Sequence, residues 1–152
     1  MLTKEEKHRI VAHLKQYRKL KGRIRNEMDH IAQLRAIVED TSVHLSPVAG
    51  CNPSSGRGKF ENTMLDIVTE EKKTEENVLQ FALLQAEIEN LINSLEDDEL
   101  QMLLRYKYID GMTFPAIGSL LCYSKSKIYS MHDQALEVIA ENHPEFQSRS
   151  KK

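Results

Sequence analysis

Serine, lysine and tyrosine side chains crowd the stretch Ser124-Lys125-Ser126-Lys127-Ile128-Tyr129-Ser130, with Asp133 one helical turn on. Wound as a helix, this stretch puts Ile128, Met131, Ala135 and Val138 at positions i, i+3, i+7 and i+10, a buried stripe widened by Leu136 and Ile139. The opposite face carries Lys125, Ser126, Tyr129, Ser130 and Asp133, with Lys127 beside it. A helix N-terminus bearing lysines and hydroxyls suits contact with phosphates and hydrogen bonding to base edges in a duplex groove. Two features stay open to a second reading. Lys125 and Lys127 also fit a solvated face, and Tyr129 equally fits a cover over the groove between helices.

The elements that must position this face are legible from caps and breaks. Ser124 is the N-cap of a last helix that runs to about Asn142 and stops before Pro144. Thr113 caps a shorter helix, Phe114–Leu121, with Pro115 tolerated in its first turn, and Thr113 joins the candidate contact set. The break between them falls at Leu121-Cys122-Tyr123. Ile117 and Leu120/Leu121 are expected to face Ile128, with Ala116 and Gly118 small enough for close approach. Upstream, Ser94 is the expected N-cap of a helix Glu96–Ile109, with Glu96, Asp97 and Asp98 opposing the dipole and Asp110-Gly111 ending it. Three short helices with a tight turn between the second and third are the helix-turn-helix plan.

Two long helices precede this unit. From Lys4 to Asp40, apolar residues recur at Ile10, Leu14, Tyr17, Leu20, Ile24, Met28, Ile31, Leu34 and Val38, a heptad seam. A second seam reads Met64, Ile67, Glu71, Thr74, Val78, Phe81, Leu84, Ile88, Leu91 and Leu95, weakened by the polar stretch Glu70 to Asn77. Between them Thr41 to Lys59 holds Pro, Gly and Ser enough to break a helix. The expected fold is all-α: a coiled-coil-like helical hairpin followed by a three-helix helix-turn-helix domain. Its parts are a long helix (1–40), a flexible linker (41–59), a second long helix (60–95), the helix-turn-helix domain (96–143) and a flexible tail (144–152). The hairpin follows from folding one seam onto the other; the alternative is that a seam closes a homodimer or higher oligomer.

The net charge of −2 conceals a polarised chain. Residues 1–40 carry ten Lys/Arg against six Asp/Glu, whereas residues 60–100 carry two against twelve. Lys15, Arg18, Lys19, Lys21, Arg23 and Arg25 form a run without an intervening acid. That run is either an accessory contact to DNA phosphates or a coiled-coil flank paired with Glu70, Glu71, Glu75 and Glu76.

The stretch LLRYKYIDGMTFPAIGSLLCYSKSKIYSMHDQALEVIA resembles region 4 of sigma-70 factors. The matching elements are Asp110-Gly111, Thr113-Phe114, Ile117-Gly118, Ser124, Ile128, Met131, Ala135 and Leu136. Ala116 stands where the family has an acid, and Tyr129 and Ser130 where it has basic residues, which implies a different sequence preference. The whole chain is similar to phage-encoded, sigma-region-4-like late-gene regulators of Gram-positive bacteria, the ArpU/RinA type. The resemblance implies a double-stranded promoter as ligand, host RNA polymerase as partner, and activation of late or packaging operons. No aromatic-rich segment suits reading a −10 element, so a self-sufficient sigma factor is not expected.

The remaining residues exclude more than they suggest. The scattered histidines form no HExxH or His-Cys cluster, so no metal is expected, and His132 reads as a packing residue. Ser124-x-x-Lys127 lacks the companion motifs of penicillin-recognising enzymes. Gly56-Arg57-Gly58-Lys59 lacks the first Gly of a P-loop and has Phe60 where Ser/Thr is needed. No nucleophile–base pair emerges, so neither an enzyme nor a cofactor is expected. Isolated Cys51 and Cys122, with no apolar run of membrane-spanning length, fit the cytoplasm of a bacterial host cell. Two other functions stay open: a small-terminase-like DNA-packaging component, and an adaptor that binds polymerase without touching DNA.

Overall fold

A computed structural model describes residues 2–44 and 54–147. The protein is all-α, with no strand among the described residues. Helix α1 spans Lys4–His44, α2 Ser54–Asn93, α3 Asp98–Leu104, α4 Phe114–Leu121 and α5 Lys125–Asn142. A π turn, Arg105–Ile109, prolongs α3, and a 3₁₀ turn, Pro144–Phe146, follows α5. No helix among the described residues is long and apolar enough to cross a membrane.

Local chemistry accounts for the ends of these elements. Thr3 and Glu6 form a capping box: the Glu6 N–H donates to Thr3 Oγ1 at 3.2 Å and the Thr3 N–H to Glu6 Oε2 at 2.8 Å. Both ends of the segment read as a linker are helical, since α1 continues through His44 and α2 begins at Ser54. Once a helix is nucleated each added residue gains a hydrogen bond, which carries the ends past weak formers. Whether the rest of that segment, 45–53, is ordered lies outside the described residues. Ser94 is not the cap of α3. Its hydroxyl donates back to the Leu91 carbonyl at 2.6 Å, at the end of α2. Asp97 caps α3 instead, accepting from the Glu99 N–H at 2.8 Å, where a carboxylate also opposes the helix dipole.

The chain divides into two compact units. The first joins residues 1–19 to residues 82–152. Its buried residues come from the start of α1 and the end of α2 as well as from the short helices: Ile10, Leu14 and Tyr17 are buried, as are Ile88, Ile92 and Leu95, and with them Leu103, Leu104, Ile117, Ile128, Leu136 and Ile139. The start of the long N-terminal helix is therefore part of this unit. The first residues of the tail make contacts with this unit. Phe146 packs on His13 with ring centroids 5.5 Å apart, and Gln147 Nε2 donates to the Ala140 carbonyl at 2.8 Å.

The second unit, residues 20–81, contains parts of α1 and α2 in antiparallel pairing. Glu27 meets Thr74 and Asn77, and Arg35 meets Glu71. Glu27, not Met28, occupies the seam: Glu27 is buried and Met28 is 58% exposed. Val78 is also exposed, whereas Thr74 is buried. The reason is satisfaction of polar groups. Thr74 Oγ1 and Asn77 Nδ2 donate to the Glu27 carboxylate at 3.3 and 2.8 Å, which repays the desolvation that a methionine partner would leave uncompensated.

Candidate nucleic-acid interface

The turn that leads into α4 begins in the π segment. The Asp110 N–H donates to the Arg105 carbonyl at 2.9 Å and the Met112 N–H to that of Tyr106 at 2.9 Å. Gly111, at φ +74°, then takes the left-handed conformation. Thr113 caps α4 by accepting from the Ala116 N–H at 3.3 Å. At the other end Cys122 takes a left-handed φ of 59°, and the Tyr123 N–H closes onto the Gly118 carbonyl at 2.9 Å. A Cβ on Gly118 would stand 3.0 Å from the Tyr123 carbonyl oxygen and 3.6 Å from Ile128 Cγ1, so glycine permits this close approach. Ala116 is exposed and plays no such part. Of the residues expected opposite Ile128, Ile117 is fully buried, Leu121 half-buried and Leu120 is 54% exposed.

Ser124 caps α5, accepting from the Lys127 N–H at 3.3 Å. Ile128, Met131, Ala135, Leu136 and Ile139 are buried, while Val138 is half-buried. Lys125, Ser126, Lys127, Tyr129, Ser130 and Asp133 are all exposed, on one side of the helix start. Thr113 and Ser124 are exposed too, with their oxygens engaged as caps. Asp133 is not free: its carboxylate lies 3.3 Å from the Lys7 ammonium of α1.

Aromatic rings hold this face in place. Tyr129 is exposed yet packs on Phe114 with ring centroids 4.9 Å apart, so it lies over the groove between α4 and α5. The Lys107 ammonium lies 4.3 Å from the Phe114 centroid, and Lys125 lies 5.9 Å from that of Tyr129. Lys127 stands 5.8 Å from the ring of Tyr123, whose hydroxyl donates to Glu99 Oε1 at 2.9 Å. That hydrogen bond, with the Glu99 charge, pushes the Tyr123 phenol up.

Beneath the face, Tyr108 Oη and His132 Nε2 are 2.6 Å apart in the interior. Burial lowers the His132 imidazole to about 4, against a smaller opposing pull from Asp133 and with further lowering by Lys107 and Lys7. Burial also pushes the Tyr108 phenol up. Both rings are therefore uncharged at neutral pH. His132 is a packing residue with one buried hydrogen bond.

The basic run of α1 divides between the two units, with Lys15, Arg18 and Lys19 in the first and Lys21, Arg23 and Arg25 in the second. Glu71, one of the acids expected to pair with the run, is taken by Arg35. Lys15, Arg18, Lys19, Arg23 and Arg25 are exposed, and none has a carboxylate within ion-pair distance among the described residues. Lys107, Phe114 and Tyr123 were not legible as part of the site. They are aromatic and cationic residues in the π turn, at the first residue of α4 and in the turn before α5, which no periodicity assigns to a side. Among the described residues no cluster of His, Cys, Asp or Glu is placed to hold a metal ion.

The family described as "Protein of unknown function (DUF1492)" matches residues 55–140, from α2 through most of α5. No curated protein matches, and no solved structure does.

Proposed function

The chain belongs to the DUF1492 family, and we propose that it is a DNA-binding transcription regulator, not an enzyme, that seats α5 in the major groove of a promoter. In this proposal it activates phage late or packaging genes by contacting host RNA polymerase, as its resemblance to sigma-70 region 4 implies. One observation carries the reading. The Ser124-capped helix buries Ile128, Met131 and Ala135 while Lys125, Ser126, Lys127, Tyr129 and Ser130 stand together in solvent. Lysines at a helix start meet phosphates, and hydroxyls beside them reach base edges.

The test starts from duplexes selected out of a random-sequence pool, followed by binding titrations with the doubly substituted Lys125→Ala/Lys127→Ala protein. The expected result is intact helical content, weaker binding, and a salt slope shallower by about 0.9 for each phosphate no longer neutralised. Unchanged affinity in the double variant rejects the assigned surface. A complex that forms only with polymerase present turns the reading to an adaptor. A ring-sized particle in light scattering turns it to a packaging component.

A further inference from the structure

Three cations from two separate parts of the chain converge beside the start of α4. Lys15 and Arg18 are exposed on α1, and Lys107 is half-buried on the π turn. The Arg18 guanidinium lies against Gly111, where a Cβ would collide with its Nη1 and Cζ. Gly111 stands two residues before the Thr113 cap, so Arg18 is held at the turn leading into α4. The Lys107 ammonium is fixed over Phe114, the first residue of that helix. Burial presses the Lys107 ammonium below the usual lysine range, and the charges of Lys15 and Arg18 press it the same way. No carboxylate offsets them within ion-pair distance among the described residues, neighbouring Asp110 included.

Like charges gathered without counter-charge cost free energy in the free protein, and an anion seated among them recovers it. The geometry also names the anion's neighbours. From Lys107 the contacts run through Phe114 to Tyr129 and on to Lys125, a continuous strip ending at the start of α5. We propose that Lys15, Arg18 and Lys107 form a phosphate clamp that grips the DNA backbone flanking the groove entered by α5. This inference rests on the DNA-binding reading and adds to it α1, which lies outside the matched family region. A backbone clamp carries no sequence information; it fixes the register and tilt of the recognition helix.

The probe is a mixed-sequence duplex of about two helical turns, followed by fluorescence anisotropy from about 50 to 200 mM salt. Lys15→Ala/Arg18→Ala should flatten the plot of log affinity against log salt by up to about 1.8, at about 0.9 per neutralised phosphate. Both side chains are exposed, and a thermal melt confirms that the variant folds. Lys15→Arg/Arg18→Lys should restore the slope. Lys72→Ala/Lys73→Ala removes the same charge from exposed positions on the second unit and should leave the slope unchanged. A wild-type slope in the Lys15/Arg18 variant overturns the clamp while leaving the α5 reading standing. An equal loss in the Lys72/Lys73 control overturns it as well, because net charge alone would then explain the effect. Displacement of the duplex by inorganic phosphate beyond its contribution to ionic strength makes this a free-anion site and also overturns it. If the wild type binds no duplex, the DNA-binding reading fails and takes the clamp with it.

Discussion

Acidification should unfasten the short-helix unit through one residue, His132. Its imidazole is 9% exposed and bonded to Tyr108. Burial lowers its pKa from 6.5 to about 4. Between those values the unfolded chain holds a proton that the folded chain refuses. Stability therefore rises with pH in this window: the contribution is complete above about 6.5 and is lost as pH falls toward 4. Each pH unit of separation is worth about 1.4 kcal/mol, so the loss attributable to His132 is about 3 kcal/mol. That is a large share of the 5–15 kcal/mol typical of a folded domain, taken as an order of magnitude. Urea unfolding across this range, in wild type and His132→Gln, isolates the effect, because the other histidines and the carboxylates are common to both. The wild-type midpoint should fall more steeply with acid than that of the variant, with m unchanged. Parallel profiles would refute a buried neutral imidazole at this position.

Two further substitutions probe the turns. Ser124→Ala removes the oxygen that accepts from the Lys127 N–H and should cost about 1 kcal/mol in chemical denaturation. Gly111→Ala places a Cβ at φ +74° and into the Arg18 guanidinium. It should destabilise by about 1–2 kcal/mol on backbone grounds, and the expelled Arg18 should shift the salt slope toward that of the Lys15/Arg18 variant.

What was legible in the sequence was local chemistry. Thr113, Ser124 and Gly111 each declare a helix end through their own side chain or its absence, and the caps and φ values fall where those residues stand. Competition between neighbours was harder. Ser94 and Asp97 both suit a cap, and the choice turned on the end of α2, which claimed the serine hydroxyl. Met28 and Glu27 are a single residue apart on the same helix. Only the donors on the facing helix, Thr74 and Asn77, decide which turns inward. The contacts of Phe146 with His13 and of Arg18 with Gly111 join residues far apart in sequence. Neither periodicity nor propensity carries information of that kind, so the contacts of the tail's first residues and the convergence of cations emerge only in three dimensions.

Phe114 is where the interior and the proposed interface meet. Its ring touches the Lys107 ammonium at 4.3 Å, the Tyr129 ring at 4.9 Å and the His132 ring at 5.1 Å. Each such contact is worth only about 0.5–1.5 kcal/mol, but together they tie the π turn and α5 to the first residue of α4. The π turn contributes Lys107 to the outer side and Tyr108 to the inner side. A shift of α4 would therefore move the outer cation and strain the buried Tyr108–His132 pair at once. A surface held in this way loses little conformational freedom on meeting a partner, and the entropy cost of ordering long lysine and tyrosine side chains is met in folding, before any partner arrives. That favours a rigid docking face at the start of α5 over one assembled only on contact.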